Sequence, residues 1–352
     1  MVKPSIFRLW FLVCRFIFAS VAFYVFRGES YNLYSVIITQ SSLFVVLSGF
    51  ELYTAIQLSS SESDYKEFRS TQIVFSSILG LIIFYYLKLP WFTLFYVFSE
   101  LLLIEKIRDL NFSADYSQGQ KFNLIFKGIS PILVLLICWI TEMNLEIYFI
   151  GIGVINLFFV GLDRFKIFQK FRWDFFRHIN ILHILPFVIF ISLYRYLDLQ
   201  IRLEVNSNEL MVNDKNILHL GLTLVFLIEG FISNLWIQPW RNRIIIQKKH
   251  EGPYLIFYIS IPLLLFFSVI ISSSVGILFT TFALILYRIL NSLFLTSQIQ
   301  RKTIFKNILS VCPELFGFIY YLSFEKFKIQ FFAIYLILVL FIKILYEKIS
   351  IK

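Results

Sequence analysis

Twelve apolar stretches divide this chain, and the loops between them alternate in basic charge. A membrane span needs roughly 20 mostly apolar residues. With 59% hydrophobic residues in 352, the chain can supply many. We place spans near 5–26, 33–57, 70–87, 89–104, 122–141, 145–162, 179–198, 217–238, 253–271, 274–296, 304–323 and 328–347. The junctions near 88 and 272 read as very short turns. The expected fold is all-α, a multi-pass membrane protein with loops too short to hide a catalytic domain between helices.

Orientation follows from Lys and Arg in alternate loops. The N-terminus with Arg8, 58–69, 105–121, 163–178, 239–252, 297–306 and the C-terminal tail carry 21 of them. The opposite set carries 6: Arg27, Lys88, Arg202, Lys215, Lys326 and Lys328. Both termini are expected in the cytoplasm. The net charge of +10 is then the positive-inside signal rather than a nucleic-acid surface. Cys14, Cys138 and Cys312 fall in three different spans, with no metal or disulfide pattern. Met1-Val2-Lys3-Pro4 leads straight into an apolar stretch without a small-residue cleavage site, which reads as a retained first helix.

Six spans precede the basic segment around Asp163–His178 and six follow it. The expected organisation is a six-helix bundle over 1–165, a cytoplasmic linker over 166–178 and a second six-helix bundle over 179–352. Gly49-Phe50-Glu51-Leu52-Tyr53-Thr54-Ala55-Ile56-Gln57 and Gly230-Phe231-Ile232-Ser233-Asn234-Leu235-Trp236-Ile237-Gln238 close the second span of each half and share Gly, Phe, Ile and Gln. Arg15 and Arg195 sit at nearly equal offsets in spans 1 and 7. Such parallel repeats commonly enclose a central site with alternating access.

A charged side chain at the centre of a span costs about 2.5–3.5 kcal/mol on insertion scales, so it usually faces a bundle interior or a wet cavity. Arg15, Glu51, Glu100, Lys127, Arg195, Glu229, Arg288 and Glu314 are of this kind. Arg8 and Arg15 share a helix face, although Arg8 is near enough to the interface to snorkel. Lys127, near a span end, is expected to snorkel as well. Ser48, Glu51 and Thr54 make one polar stripe. Glu229, Ser233 and Trp236 make a second, and Thr281, Arg288 and Ser292 a third. Glu51 and Glu229 have two readings: pairing with an arginine to hold the bundle, or tuning a cavity. Arg195 and Asp198 form a local i, i+3 pair in the structural reading. The glycines of Gly151-Ile152-Gly153 are expected to permit close helix packing.

Enzyme readings lack parts. His178, His183, His219 and His250 are scattered, and no metal-ligand spacing, phosphate loop or nucleophile elbow is present. A polysaccharide polymerase would want a large basic external loop. The longest external loop, 199–216, is instead mostly acidic, with Glu204, Glu209 and Asp214.

The six-plus-six arrangement and cationic first helix resemble the multidrug/oligosaccharidyl-lipid/polysaccharide exporter superfamily, and within it the Wzx-type polysaccharide (O-antigen) flippases. The resemblance is carried by Arg15-Phe16, by Leu47-Ser48-Gly49-Phe50-Glu51-Leu52-Tyr53, by Leu185-Pro186 and by Trp236-Ile237-Gln238-Pro239-Trp240-Arg241. The family is usually longer, often with fourteen spans. The resemblance implies translocation of undecaprenyl-pyrophosphate-linked oligosaccharide across the bacterial cytoplasmic (inner) membrane for surface polysaccharide biosynthesis. It implies no cofactor, no metal, no catalytic residue, and a polysaccharide polymerase as a possible partner. On this reading Arg15, Arg195 and Arg288 meet the anionic head group, Tyr53 and Trp236 stack on sugars, and Glu51 and Glu229 tune or couple the cavity. The alternatives are a membrane polymerase or transferase acting on lipid-linked sugars, and an exporter of small amphiphiles.

Overall fold

The computed structural model describes residues 4–49, 62–112, 116–142, 144–161, 181–207, 210–232, 254–270 and 274–300, with short stretches between 312 and 342. Every element among the described residues is helical. Three helical segments are long and apolar enough to cross a membrane: Ile6–Val25, Glu29–Gly49 and Gln118–Ile140. Large apolar side chains cover the outside of the helices as well as the core. Trp10, Phe16, Leu81, Trp139 and Phe158 are at least half exposed, whereas the polar Gln72 and Glu105 are 0–1% exposed. A hydrocarbon solvent favours that arrangement, so this is a membrane-embedded helical protein.

The chain groups into two units. The first comprises residues 1–184 and 195–216, the second 185–194 and 217–352. The linker expected over 166–178 lies outside the described residues, as does the junction near 272.

In the first unit, α1 (Pro4–Val25) turns into α2 (Glu29–Gly49) through Gly28. Gly28 has φ +63°, a conformation that costs glycine nothing. α2 packs on α3 (Glu62–Tyr86), where a Cβ on Gly80 would come within 3.1 Å of the Phe44 ring. The expected turn near 88 is present. Leu87 and Lys88 close α3, Pro90 precedes the short 3-10 turn Trp91–Thr93, and α4 (Leu94–Phe112) follows. Phe44, Leu89, Val97 and Leu101 form a core layer there.

α5 (Tyr116–Asn123), a π-helical segment (Leu124–Ile129) and α6 (Ser130–Ile140) run on without a break. Pro131 explains the change of register. It lacks an N–H, and its ring would clash with the carbonyl four residues back, that of Lys127. A π-bulge before it relieves both constraints.

α7 (Leu145–Gly161) starts with Asn144 Oδ1 accepting from the Ile147 amide at 3.1 Å. It lies along α4 in parallel. A Cβ on Gly153 would fall 2.5 Å from the backbone nitrogen of Tyr96, so the contact requires glycine. Gly151 has only an ordinary contact, 3.7 Å to Val134, so one glycine of the expected pair does this work.

α8 (Ile181–Ser207) differs from the sequence expectation. The expected external loop 199–216 is helical as far as Ser207, and helix resumes at Val212. Leu199, Ile201 and Val205 are buried along the extension, which outweighs the charged residues that read as a loop. In the second unit, α10 (Tyr254–Ile270) packs along α11 (Ser274–Gln300), and α9 (Val212–Ile232) meets α11. A Cβ on Gly221 would meet Leu278 at 3.0 Å, which fixes the approach of α9 to α11.

Candidate functional site

Arg15 lies midway along α1 and is partly buried. Three tyrosines are its electrostatic neighbours: the buried Tyr34 of α2 and Tyr148 of α7, and the half-buried Tyr96 of α4. Arg15 has no carboxylate partner among the described residues. The tyrosines belong to an interlocked aromatic group. Phe18 of α1 and Phe26, just past its end, contact both Tyr34 and Tyr148 at ring separations of 5.3–6.3 Å. Phe149 contacts Tyr34 at 6.1 Å and Tyr96 at 5.1 Å. Four helices thus place a guanidinium beside a rigid wall of aromatic faces and phenol hydroxyls.

Next to this wall is an ion pair. Lys127 Nζ donates to Glu100 Oε2 at 2.6 Å, and both side chains are at least 83% buried, with exposures of 15% and 17%. Glu100 is also an electrostatic neighbour of Tyr96 and Tyr148. The expectation that Lys127 snorkels is therefore corrected. The π-segment supplies the reason, because it turns Lys127 inward and seats Gly128 against α1. A Cβ on Gly128 would come within 3.2 Å of Cys14 Cβ, one residue before Arg15. Charge-assisted bonds of this kind are strong, and in hydrocarbon each partner makes the other tolerable.

Tyr34 also has a cation of α8, Arg202, as an electrostatic neighbour. Arg202 is 5% exposed, its Nη1 donates to Ser35 Oγ, and Asp198, Tyr31 and Tyr34 are its electrostatic neighbours. Arg195 pairs with Asp198 at 3.5 Å, the local i, i+3 pair expected from sequence. Arg202, one turn beyond Asp198, is the α8 cation brought to the tyrosine group. Nothing in the sequence except its i+7 spacing from Arg195 pointed to it.

In the second unit Arg288 of α11 forms a salt bridge with Glu229 of α9, both largely buried. That is the pairing reading of Glu229. Tyr194 stacks on Tyr287 beside it at 6.0 Å. Glu51, Tyr53 and Trp236 lie outside the described residues.

No family model, curated protein or solved structure matches this chain.

The site offers cations, hydroxyl donors and aromatic faces within apolar surroundings. That set can desolvate and hold an anion flanked by polar or sugar-like groups. Among the described residues no group of His, Cys, Asp and Glu is arranged to hold a metal ion.

Proposed function

We propose that this protein is a flippase. It moves undecaprenyl-pyrophosphate-linked oligosaccharide across the bacterial cytoplasmic membrane by alternating access, for surface polysaccharide biosynthesis. The observation that carries the proposal is Arg15 without a carboxylate partner among the described residues, set against Tyr34, Tyr96 and Tyr148 inside an apolar bundle. A pyrophosphate and its sugars cannot cross hydrocarbon unaided, whereas a polyprenyl tail can remain in lipid. The protein must supply only a cation, hydroxyl donors and stacking faces along the route. The 21-to-6 loop asymmetry supports twelve spans with both termini cytoplasmic, and the likeness of the two halves supports six spans in each.

Arg15 meets the pyrophosphate in this reading, with Arg202 further along the same tyrosine group. Arg195 and Arg288, each already paired with an acid, contribute charge only when substrate displaces that acid. Glu229 is then a gate partner, and Glu51 a second acid of the same class. Tyr53 and Trp236 keep their proposed stacking role. A polymerase that takes over the exported units is the partner.

Depletion in the cells that make the polysaccharide tests the proposal. Lipid-linked repeat units should accumulate on the cytoplasmic leaflet and surface polymer should be lost. Single unpolymerised units on the outer leaflet would instead assign the protein to polymerisation.

A further inference from the structure

We infer that the first unit carries an aromatic girdle, made by Tyr24, Tyr85, Tyr86, Trp91 and Trp139, that seats it in the phospholipid head-group zone at one face of the bilayer. These side chains are 61–81% exposed. Tyr24 lies at the end of α1, Tyr85 and Tyr86 at the end of α3 and Trp139 at the end of α6, while Trp91 opens the 3-10 turn before α4.

The turns they flank lie at one end of the unit. Tyr148, at the start of α7, contacts Phe26 at 5.4 Å, so α6 finishes where α1 does. Phe92 contacts Phe149 at 6.1 Å, which brings the turn between α3 and α4 to the same end. Each turn adds an exposed charge: Arg27, Lys88 and Glu142.

The exposed rings are sorted by chemistry along the helices. Among the described side chains of this unit, every exposed tyrosine is at this end. Further along the helices the exposed rings are Phe16, Phe95, Phe158 and Phe159, with Trp10 in the opposite half of α1. Phenylalanine has no polar atom and suits hydrocarbon. Tyrosine and tryptophan join an apolar body to a polar tip, which suits the boundary between hydrocarbon and water. A docked protein would cover a patch without separating the two kinds of ring along the helix axis. A bilayer does separate them, and the phosphate and ammonium groups of its lipids match turn charges of both signs.

The girdle sets a depth scale. Arg15 lies about 13 Å beneath Tyr24 along α1, at about 1.5 Å per residue. The hydrocarbon core is roughly 30 Å thick, so Arg15 sits near the bilayer midplane. In the proposed topology the girdle faces the cell exterior, but the girdle itself needs neither that orientation nor the flippase reading.

Depth-dependent fluorescence quenching tests it with the full-length protein in phosphatidylcholine vesicles that contain no lipid-linked sugar, so the outcome is independent of translocation. Each variant keeps one of the six tryptophans and carries phenylalanine at the other five. A further variant has Phe16→Trp as its sole tryptophan. Bromine is placed on the lipid acyl chains either near the glycerol or near the chain end. Trp91 and Trp139 should be quenched more strongly by the shallow bromines, and Phe16→Trp by the deep ones. Stronger quenching of Trp91 and Trp139 by the deep bromines overturns the girdle. So does an absence of quenching by either lipid, the result expected if water or a second copy of the chain covers the rings. If the single-tryptophan variants fail to fold, spin labels on Tyr85→Cys and Phe16→Cys, with Cys14, Cys138 and Cys312 replaced by serine, read the same depth. The label at Tyr85→Cys should collide with a water-soluble nickel chelate more often than the label at Phe16→Cys. Equal collision rates overturn the proposal.

Discussion

Arg15→Ala is expected to stop display of surface polysaccharide while the protein still inserts and the lipid-linked repeat unit still forms. The reasoning starts from charge. Arg15 is partly buried beside three tyrosines and has no carboxylate partner among the described residues. Its removal breaks no ion pair there, so the loss should fall on function more than on folding. Arg15→Lys should retain part of the activity, since an ammonium keeps the point charge but not the bidentate fork that matches a phosphate. The check is surface polymer measured beside the amount of membrane-inserted protein. Equal polymer in wild type and Arg15→Ala would remove Arg15 from the site.

The second large effect concerns folding. Arg288→Ala strands Glu229, and Lys127→Ala strands Glu100, each in a largely buried position. Breaking a buried pair by removing one partner typically costs about 3–5 kcal/mol, whereas replacing both by apolar residues of similar volume is often close to neutral. Arg288→Met with Glu229→Leu should therefore be more stable than Arg288→Ala alone, and Lys127→Met with Glu100→Leu more stable than Lys127→Ala. Denaturation of the purified variants measures this. Single variants as stable as the wild type would mean the pairs hold nothing together. If the Glu229–Arg288 double variant is stable but inactive, the pair also serves transport.

The sequence made the apolar helices legible, because length and hydrophobicity alone specify them. The helices α1 and α7 lie close to the expected spans, and Gly153 makes the close contact expected of its motif. The end of α8 was not legible. Arg202 and Glu204 look like a loop, yet Leu199, Ile201 and Val205 are all buried; i+2 spacing puts Leu199 and Ile201 on different sides of a helix, so no single apolar stripe announces it. The π-segment was also hidden, because hydrogen-bond register leaves no compositional mark; Pro131 was the one available clue. Without that segment Lys127 reads as an interfacial lysine. Its partner Glu100 is 27 residues away, and pairing at such separation depends on how α4 and the π-segment pack. The sequence singles out Arg15 because a deep charge in a first span has few harmless explanations, and the structure sets it beside Tyr34, Tyr96 and Tyr148.

Translocation itself can be measured with the purified protein in proteoliposomes whose inner leaflet carries undecaprenyl-pyrophosphate-linked oligosaccharide, the outer leaflet having been cleared by a membrane-impermeant glycosidase. The flippase account predicts that wild-type protein returns the protected sugar to glycosidase attack and that Arg15→Ala does so far more slowly. Sugar that stays protected with the wild type, at the rate of protein-free vesicles and in the presence of an ion gradient of either direction, would contradict it.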